Sequence, residues 1–159
     1  MYRKMTLYSL MAIFIISGCG KNEAKISLDE RMIDTYKFSD PNPIPVLTSD
    51  KRLYPYHKFY NYSHTSEKQK WNVVTMENEH IAIYVLPEVG GKVWGAIDKS
   101  NNQEFIYRNE VMKFRNIALR GPWTSGGIEF NFGIIGHTPA TATPVDYLTR
   151  KNSDGSVST

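Results

Sequence analysis

The chain is short of cysteine, of long apolar runs and of clustered basic residues, and each shortage excludes a class of protein. Cys19 is the single cysteine, so a framework of internal disulfides is excluded. The apolar run from Leu7 to Ile16 is shorter than the roughly 20 residues that a membrane-spanning helix needs. The formal net charge is +3, or +1 (3 minus 2) without Arg3 and Lys4, which lie in a segment predicted below to be removed. A nucleic-acid partner would need a clustered basic face, so none is expected.

The sequence motifs of several chemistries are missing as well. No His or carboxylate residues have the spacing of zinc ligands, no glycine-rich loop is built for a phosphate, and no serine occupies a nucleophile elbow. No metal site of that kind and no cofactor is therefore expected. The sequence does not decide whether calcium binds, because calcium takes oxygen ligands in variable arrangements.

The N-terminus has the three parts of a secretory signal. MYRK gives a basic start, LYSLMAIFII gives an apolar core, and ISGCG follows with small residues. The residues before Cys19 resemble the lipobox of bacterial lipoproteins. This resemblance implies that residues 1–18 are removed and that Cys19 is lipidated, so the protein is exported and anchored to a bacterial membrane, with the outer membrane as the expected location. The alternative is a short buried helix with an incidental cysteine.

The composition favours one packed domain preceded by a tether. Of the 159 residues 41% are apolar and 22% charged, which is ordinary for a globular domain. Residues 19–50 are assigned to a lipidated tether and an extended lead-in, because Pro41, Pro43 and Pro45 suit neither a helix nor a central strand. Within this segment ISLDERMID is compatible with one or two helical turns.

Residues 51–159 are predicted to form an all-β domain. WNVVTME, HIAIYVLP, KVWGAID and QEFIYR are short runs rich in β-branched and aromatic residues, and turn-forming residues bound each of them. No long stretch repeats with the period of an amphipathic helix. The earlier stretch LYPYHKFYNY is either a strand or a loop that lays its rings on a neighbouring surface.

The end of the sequence predicts a hairpin. VDYLTRKNSDGSVST contains a strand, a turn at Asn152 to Gly155 and the beginning of a return strand. A hairpin interrupted in its second arm would leave an unpaired edge, which natural sheets avoid. We therefore expect the sheet to be incomplete at its C-terminal end and the chain to be part of a longer protein.

Three stretches resemble the N-terminal region of a family of bacterial surface lipoproteins. They are TYKFSDPNPIPVL, the segment from VLPEVGGKVWGAID through RGPWTSGGIEFNFGIIGHTPATATPVDY, and NSDGSVS. In that family a galactose-mutarotase-like domain of unknown function precedes tetratricopeptide repeats. The resemblance implies a large two-sheet antiparallel sandwich whose partner is an oligosaccharide or polysaccharide.

The resemblance also suggests a catalytic pair. Mutarotases use a His as general acid and a Glu as general base, and Glu129 and His137 are the nearest candidates in this sequence. Glu129 has a structural alternative, since its carboxylate is also suited to brace the backbone of the Gly126–Gly127 turn. The two glycines themselves are predicted to serve the backbone, because glycine tolerates positive φ and close approach.

Three further residues are candidate carbohydrate contacts. Trp123 offers a flat apolar face for a pyranose ring, Arg120 offers a rigid fork of donors, and Asn131 offers an amide. The alternative places Trp123 in the packed edge of the sandwich and Arg120 in a structural ion pair. The basic residues Arg108, Lys113 and Arg115 are interpreted as a solvated edge in preference to a site for an acidic sugar.

Three functions are carried forward. The leading one is a surface lipoprotein whose sandwich binds or processes carbohydrate. The second is a non-catalytic scaffold that positions protein partners. The third is an epimerase or glycoside hydrolase completed by residues beyond the C-terminus of this chain.

Overall fold

The computed structural model describes residues 23–52, 55–116, 121–131, 136–137 and 139–159. These residues form ten strands, one 3₁₀ helix and no α-helix, which confirms the all-β prediction. The strands are β1 Lys25–Tyr36, β2 Glu67–Glu77, β3 Ile81–Leu86, β4 Lys92–Asp98, β5 Gln103–Ile106, β6 Met112–Lys113, β7 Arg115–Asn116, β8 Pro122–Trp123, β9 Arg150–Lys151 and β10 Val157–Ser158, and the 3₁₀ helix is Pro139–Ala142. Within the described ranges no helix is long and apolar enough to span a membrane.

One large sheet organises the fold. Its strand order is β5-β4-β3-β2-β1-β6, and all neighbours are antiparallel except β1 and β6, which are parallel. Two small sheets accompany it, β7 with β8 and β9 with β10. The second of these is the hairpin predicted around the turn at Asn152 to Gly155. The arrangement is sandwich-like and mainly antiparallel.

The first strand corrects two sequence predictions. Residues 25–36, within the segment assigned to the tether, form a twelve-residue strand that is second from one edge of the sheet, so the predicted helical turns are wrong. Charged side chains of β1 form ion pairs with β2. Glu30 lies 3.0 Å from Lys70, and Asp34 lies 3.0 Å from Lys68. Cross-strand pairs of opposite charge stabilise a sheet. The folded part of the chain therefore begins well before residue 51.

The core lies on one face of the large sheet. Side chains from six parts of the chain meet there and are almost inaccessible, namely Ile33, Trp71, Val73, Leu86, Val89, Trp94, Met112, Phe114 and Ala142. On the opposite face Val74 is fully buried and Val85 nearly so. The central strands are thus apolar on both faces, as the sequence predicts for β3.

The aromatic stretch after residue 54 is a loop and not a strand. Isolated bridges join Tyr56 to Val46 and Tyr62 to Phe38. The ring of Phe59 meets the ring of Phe38 edge to face at 5.4 Å, and Phe38 packs on the core. The second of the two sequence interpretations is therefore correct, because the loop lays its rings on a neighbouring surface.

Of the basic residues predicted to form a solvated edge, Lys113 is exposed and Arg108 is less solvated than predicted. Arg108 pairs with Glu104 at 2.6 Å, and its side chain is 23% exposed. Its guanidinium lies over the rings of Tyr84 and Trp94, at 5.2 and 5.1 Å from their centroids. The side chain packs against Gly95, which has no Cβ to obstruct it. Arg108 therefore covers the sheet, an outcome that neither sequence interpretation contained.

Candidate functional site

The candidate site is built on the glycine-rich segment after β8. Gly127 donates its backbone N–H to the carbonyl of Tyr107 at 2.7 Å, and Ile128 and Val93 exchange backbone hydrogen bonds at 2.8 and 3.1 Å. Gly126 and Gly127 have φ values of 84° and 70°, which confirms that the backbone requires glycine there. These bonds fasten the segment to β4 and fix where residues 129–131 begin.

Glu129 is the centre of the site. Its Oε2 accepts a hydrogen bond from Trp123 Nε1 at 2.5 Å, and its Oε1 accepts one from Asn131 Nδ2 at 3.2 Å. The Nδ1 atom of His137 lies 2.6 Å from the same Oε1. The carboxylate side chain is 17% exposed, so both oxygens are oriented by the protein while solvent still reaches the group.

His137 is held by its backbone as well as by its ring. Its φ of 55° lies in the left-handed region, which is uncommon for residues other than glycine. Its N–H donates to Asn131 Oδ1 at 2.6 Å, and its ring meets the Trp123 ring edge to face at 5.6 Å. Nδ1 is buried, and its contact with Glu129 lacks the direction of a regular hydrogen bond. The two side chains form an ion pair when the imidazole is protonated.

Lys92 lies beneath this cluster. It is 2% exposed, and its Nζ donates to the carbonyl of Thr124 at 2.5 Å. The same nitrogen lies 6.0 Å from the centroid of the Trp123 ring. Burial lowers the pKa of Lys92 from 10.5 to about 8, and the negative charge of Glu129 opposes that change. Lys92 thus ties β4 to the segment that carries Trp123.

Sequence reasoning did not select Lys92, although a signal was present. The residue stands at the start of a predicted apolar strand, directly after Gly90 and Gly91 and two positions before Trp94. Both side chains are buried, and Trp94 is part of the core. A lysine that shares the spacing of core residues in a strand is a candidate for a buried, functional amine.

The structure brings together every predicted site residue that it describes. Trp123, Asn131 and His137 each contact Glu129, although His137 is eight positions further along the chain. Arg120 and Cys19 lie outside the described residues. The turn-bracing alternative for Glu129 does not match the hydrogen bonds given above, since the described partners of its carboxylate are side chains.

The donors in this cluster define its chemistry. A fixed carboxylate beside an imidazole is the kind of pair that transfers protons, and an indole next to an amide and a carboxylate can bind a polar ring. Within the described parts of the chain, no group of three or more His, Cys, Asp or Glu residues is arranged to hold a metal ion.

The fold and the cluster define an all-β domain with a half-buried carboxylate at one end of its main sheet. By sequence the chain belongs to the family DUF5107, described as a domain of unknown function, whose profile matches residues 49–159. The family match covers the whole candidate site, while β1 lies before it.

A solved structure shares the fold. The chain is similar to a TPR-domain containing protein from Parabacteroides distasonis ATCC 8503, with a TM-score of 0.72 and 26% sequence identity. The similarity covers 83% of this chain and 23% of that one. The chain therefore spans about a quarter of the length of a relative that contains tetratricopeptide repeats, as the resemblance in the sequence implied.

Proposed function

We propose that this domain binds carbohydrate at the cluster centred on Glu129 and that it does so at a bacterial surface as part of a lipoprotein. The observation that supports the proposal is the convergence of Trp123, Asn131 and His137 on one carboxylate. The finer fold assignment, a galactose-mutarotase-like sandwich, belongs to the same proposal. It rests on the resemblance in the sequence together with the sandwich-like sheet.

The chemistry of the cluster suits a sugar better than an apolar ligand. Sugar hydroxyls both donate and accept hydrogen bonds, and a carboxylate, an amide and an imidazole supply both functions. The half-buried indole adds an apolar surface for the C–H groups of a pyranose. The side chains of His137 and Glu129 are 38% and 17% exposed, so both remain within reach of a ligand.

Replacing Trp123 by alanine is expected to weaken glycan binding by about 1 to 3 kcal/mol, roughly 5- to 150-fold, by analogy with the stacking of bases on aromatic side chains. Trp123→Phe is the matched control, because it keeps a ring and removes the N–H that reaches Glu129. A glycan array identifies a ligand for the full-length protein, and calorimetry then measures the affinity of each variant.

The scaffold hypothesis predicts that Trp123→Ala affects the stability of the domain and not its affinity for glycans. If Trp123→Ala lowers the melting temperature sharply and leaves glycan affinity unchanged, Trp123 is a packing residue and the carbohydrate proposal loses its main support. An affinity that falls for Trp123→Ala and is kept by Trp123→Phe assigns the contribution to ring stacking. An equal fall for both assigns it to the hydrogen bond with Glu129.

A catalytic role is the second candidate, favoured by the 2.6 Å contact between Glu129 and His137. An epimerase or glycoside hydrolase would use these groups as base and acid on one sugar. Glu129→Gln should then abolish turnover of a bound glycan while affinity changes little. Product analysis of the glycans that bind on the array distinguishes catalysis from binding. If the sugars are recovered unchanged, the domain binds them without catalysing a reaction.

The membrane anchor is part of the proposal and rests on the sequence. Cys19 follows small residues at the end of an apolar run, and the chain has no other thiol. Two or three acyl chains give durable anchoring, because each buried methylene adds about 0.8 kcal/mol.

Incorporation of a fatty-acid analogue into the protein in growing bacteria is expected to require Cys19. Cys19→Ser should lose the label and release the protein from the membrane fraction, because no other residue can form the thioether. Ser17→Ala serves as the control, since it keeps a small residue beside the cleavage site. Label retained by Cys19→Ser would overturn the assignment.

A further inference from the structure

A cavity lies apart from the cluster around Glu129. It has a volume of about 300 Å³ and shares no residue with the cluster around Glu129. Its walls come from the end of β1, the middle of β2, the turn after β3 and the chain that follows the 3₁₀ helix. Pockets that hold small ligands begin at about this size, so the cavity has room for one small ring.

The apolar wall of this cavity is rigid. Phe114 packs edge to face on Phe38 at 4.8 Å and lies 6.2 Å from the ring of Trp71. Trp71 and Phe114 are 6% and 2% exposed. Trp71 Nε1 donates to Thr35 Oγ1 at 2.9 Å, which fixes the indole within the sheet. Trp71 and Phe114 therefore form a fixed floor beneath the half-buried ring of Phe38, and a ligand does not have to order these rings.

The polar wall offers one fixed carboxylate and one free amide. Glu88 Oε2 accepts the backbone N–H of Asn72 at 2.7 Å, and this bond holds the carboxylate at the rim of the cavity. Among the residues that the structure describes, Glu88 Oε1 and the Gln69 amide have no hydrogen-bond partner. Both side chains are half-buried, so these groups are available at the cavity and not merely at the open surface.

The charge of the cavity narrows the class of ligand. Lys37 is the one lysine or arginine that lines it, and its Nζ is paired with Glu67 at 2.6 Å. No unpaired cation is thus offered to a phosphate or a carboxylate. The groups that remain are a carboxylate that accepts hydrogen bonds and an amide that donates and accepts them, next to an aromatic wall. Adjacent hydroxyls on a small ring use all of these at once.

We propose that this cavity is a binding site for one polyhydroxylated ring, a single monosaccharide unit held by Glu88 and Gln69 against the wall formed by Phe38, Trp71 and Phe114. The site is independent of the proposed function at Glu129, because the two share no residue. A domain with both sites engages two sugar units at separate points.

The test uses the indole N–H resonances of the protein, which has three tryptophans. Trp94→Phe and Trp123→Phe assign two of the signals and leave the third to Trp71. Titration with a panel of monosaccharides (glucose, galactose, mannose, xylose and N-acetylglucosamine) is expected to shift the Trp71 signal with a Kd on the order of millimolar. Glu88→Gln, whose amide oxygen still accepts the Asn72 N–H, is expected to weaken the response about tenfold. Gln69→Leu should weaken it several-fold.

The outcomes separate this proposal from the one at Glu129. A Trp71 response that survives in Trp123→Ala and is weakened by Glu88→Gln supports the cavity whatever happens at Glu129. A sugar response confined to the Trp123 signal supports the Glu129 site and overturns this proposal. A Trp71 response that is unchanged in both cavity variants also overturns it, as does a stronger, Glu88-dependent response to tetramethylammonium, which would indicate a site for an organic cation.

Discussion

Replacing Gly127 by valine is expected to prevent the domain from folding. A Cβ at this position would overlap the carbonyl oxygen of Val93 and would lie 3.0 Å from the carbonyl oxygen of Trp94. Both atoms belong to the backbone of β4 and cannot move aside without breaking the sheet. The φ of 70° adds strain for any β-branched residue. A cost above about 4 kcal/mol is expected, which is most of the stability of a small domain.

Gly155→Val is the matched control for this substitution. Gly155 also has a positive φ, 88°, but a Cβ there would meet no atom within 4 Å. The control therefore measures the cost of backbone strain without a steric clash, and we expect this cost to be about 1 to 2 kcal/mol. The folding and stability of the two variants are compared by soluble yield, circular dichroism and urea unfolding. Equal stability of the two variants would show that residues 127 and 128 do not pack on β4 in solution.

The strands that the sequence predicted well share one property. The predicted run KVWGAID has the same bounds as β4, and the predicted runs that contain β3 and β5 extend beyond them by one or two residues. In each case β-branched and aromatic residues are bounded by turn formers, so local preference and tertiary environment agree. For β2 the apolar part was found and the charged beginning, from Glu67 to Lys70, was missed.

The strand that was missed shows what local preference cannot supply. The centre of β1 contains Asp29, Glu30 and Arg31 in succession, a pattern that looks like a polar turn. Their partners are distant in sequence: Lys70 pairs with Glu30, and Thr75 bonds to both Asp29 and Arg31. Context of this kind is set by the neighbouring strand, and it overrides the propensity of the segment.

The candidate site was predictable as a set of residues and not as a geometry. The stretch from β8 to His137 contains Trp123, Glu129, Asn131 and His137, and glycines and polar groups in one irregular segment suggest a loop that carries function. The arrangement with Glu129 at the centre depends on the positive φ of His137 and on long-range pairing with β4, and neither is visible in composition or spacing.

Raising the pH from about 8 to about 10.5 is expected to stabilise the domain through Lys92. The pKa of this lysine is about 8 in the folded protein and about 10.5 in the unfolded chain, so within this window the unfolded chain binds the additional proton. Stability rises with pH wherever the unfolded state binds more protons, and the full gain is about 3 kcal/mol. Below pH 8 the folded state retains the cost of a buried charge, and above 10.5 no further change arises from this residue.

Lys92→Met isolates the effect, because it keeps an unbranched side chain of similar length and removes the titrating amine. Burial also raises the pKa of the Tyr62 phenol, which adds an opposing loss of stability above pH 10 in both proteins, so the quantity to compare is the difference between them. Urea unfolding at pH 7, 8, 9 and 10 measures the free energy of unfolding of both proteins. The value for the wild type should rise relative to that of Lys92→Met as the pH rises. The carboxylate of Glu129 raises the pKa of Lys92, so Glu129→Gln should lower that pKa. The rise in stability with pH should then begin at a lower pH in this variant. A difference that stays constant from pH 7 to 10 would mean that Lys92 is solvated in the folded protein and does not hold the segment that carries Trp123.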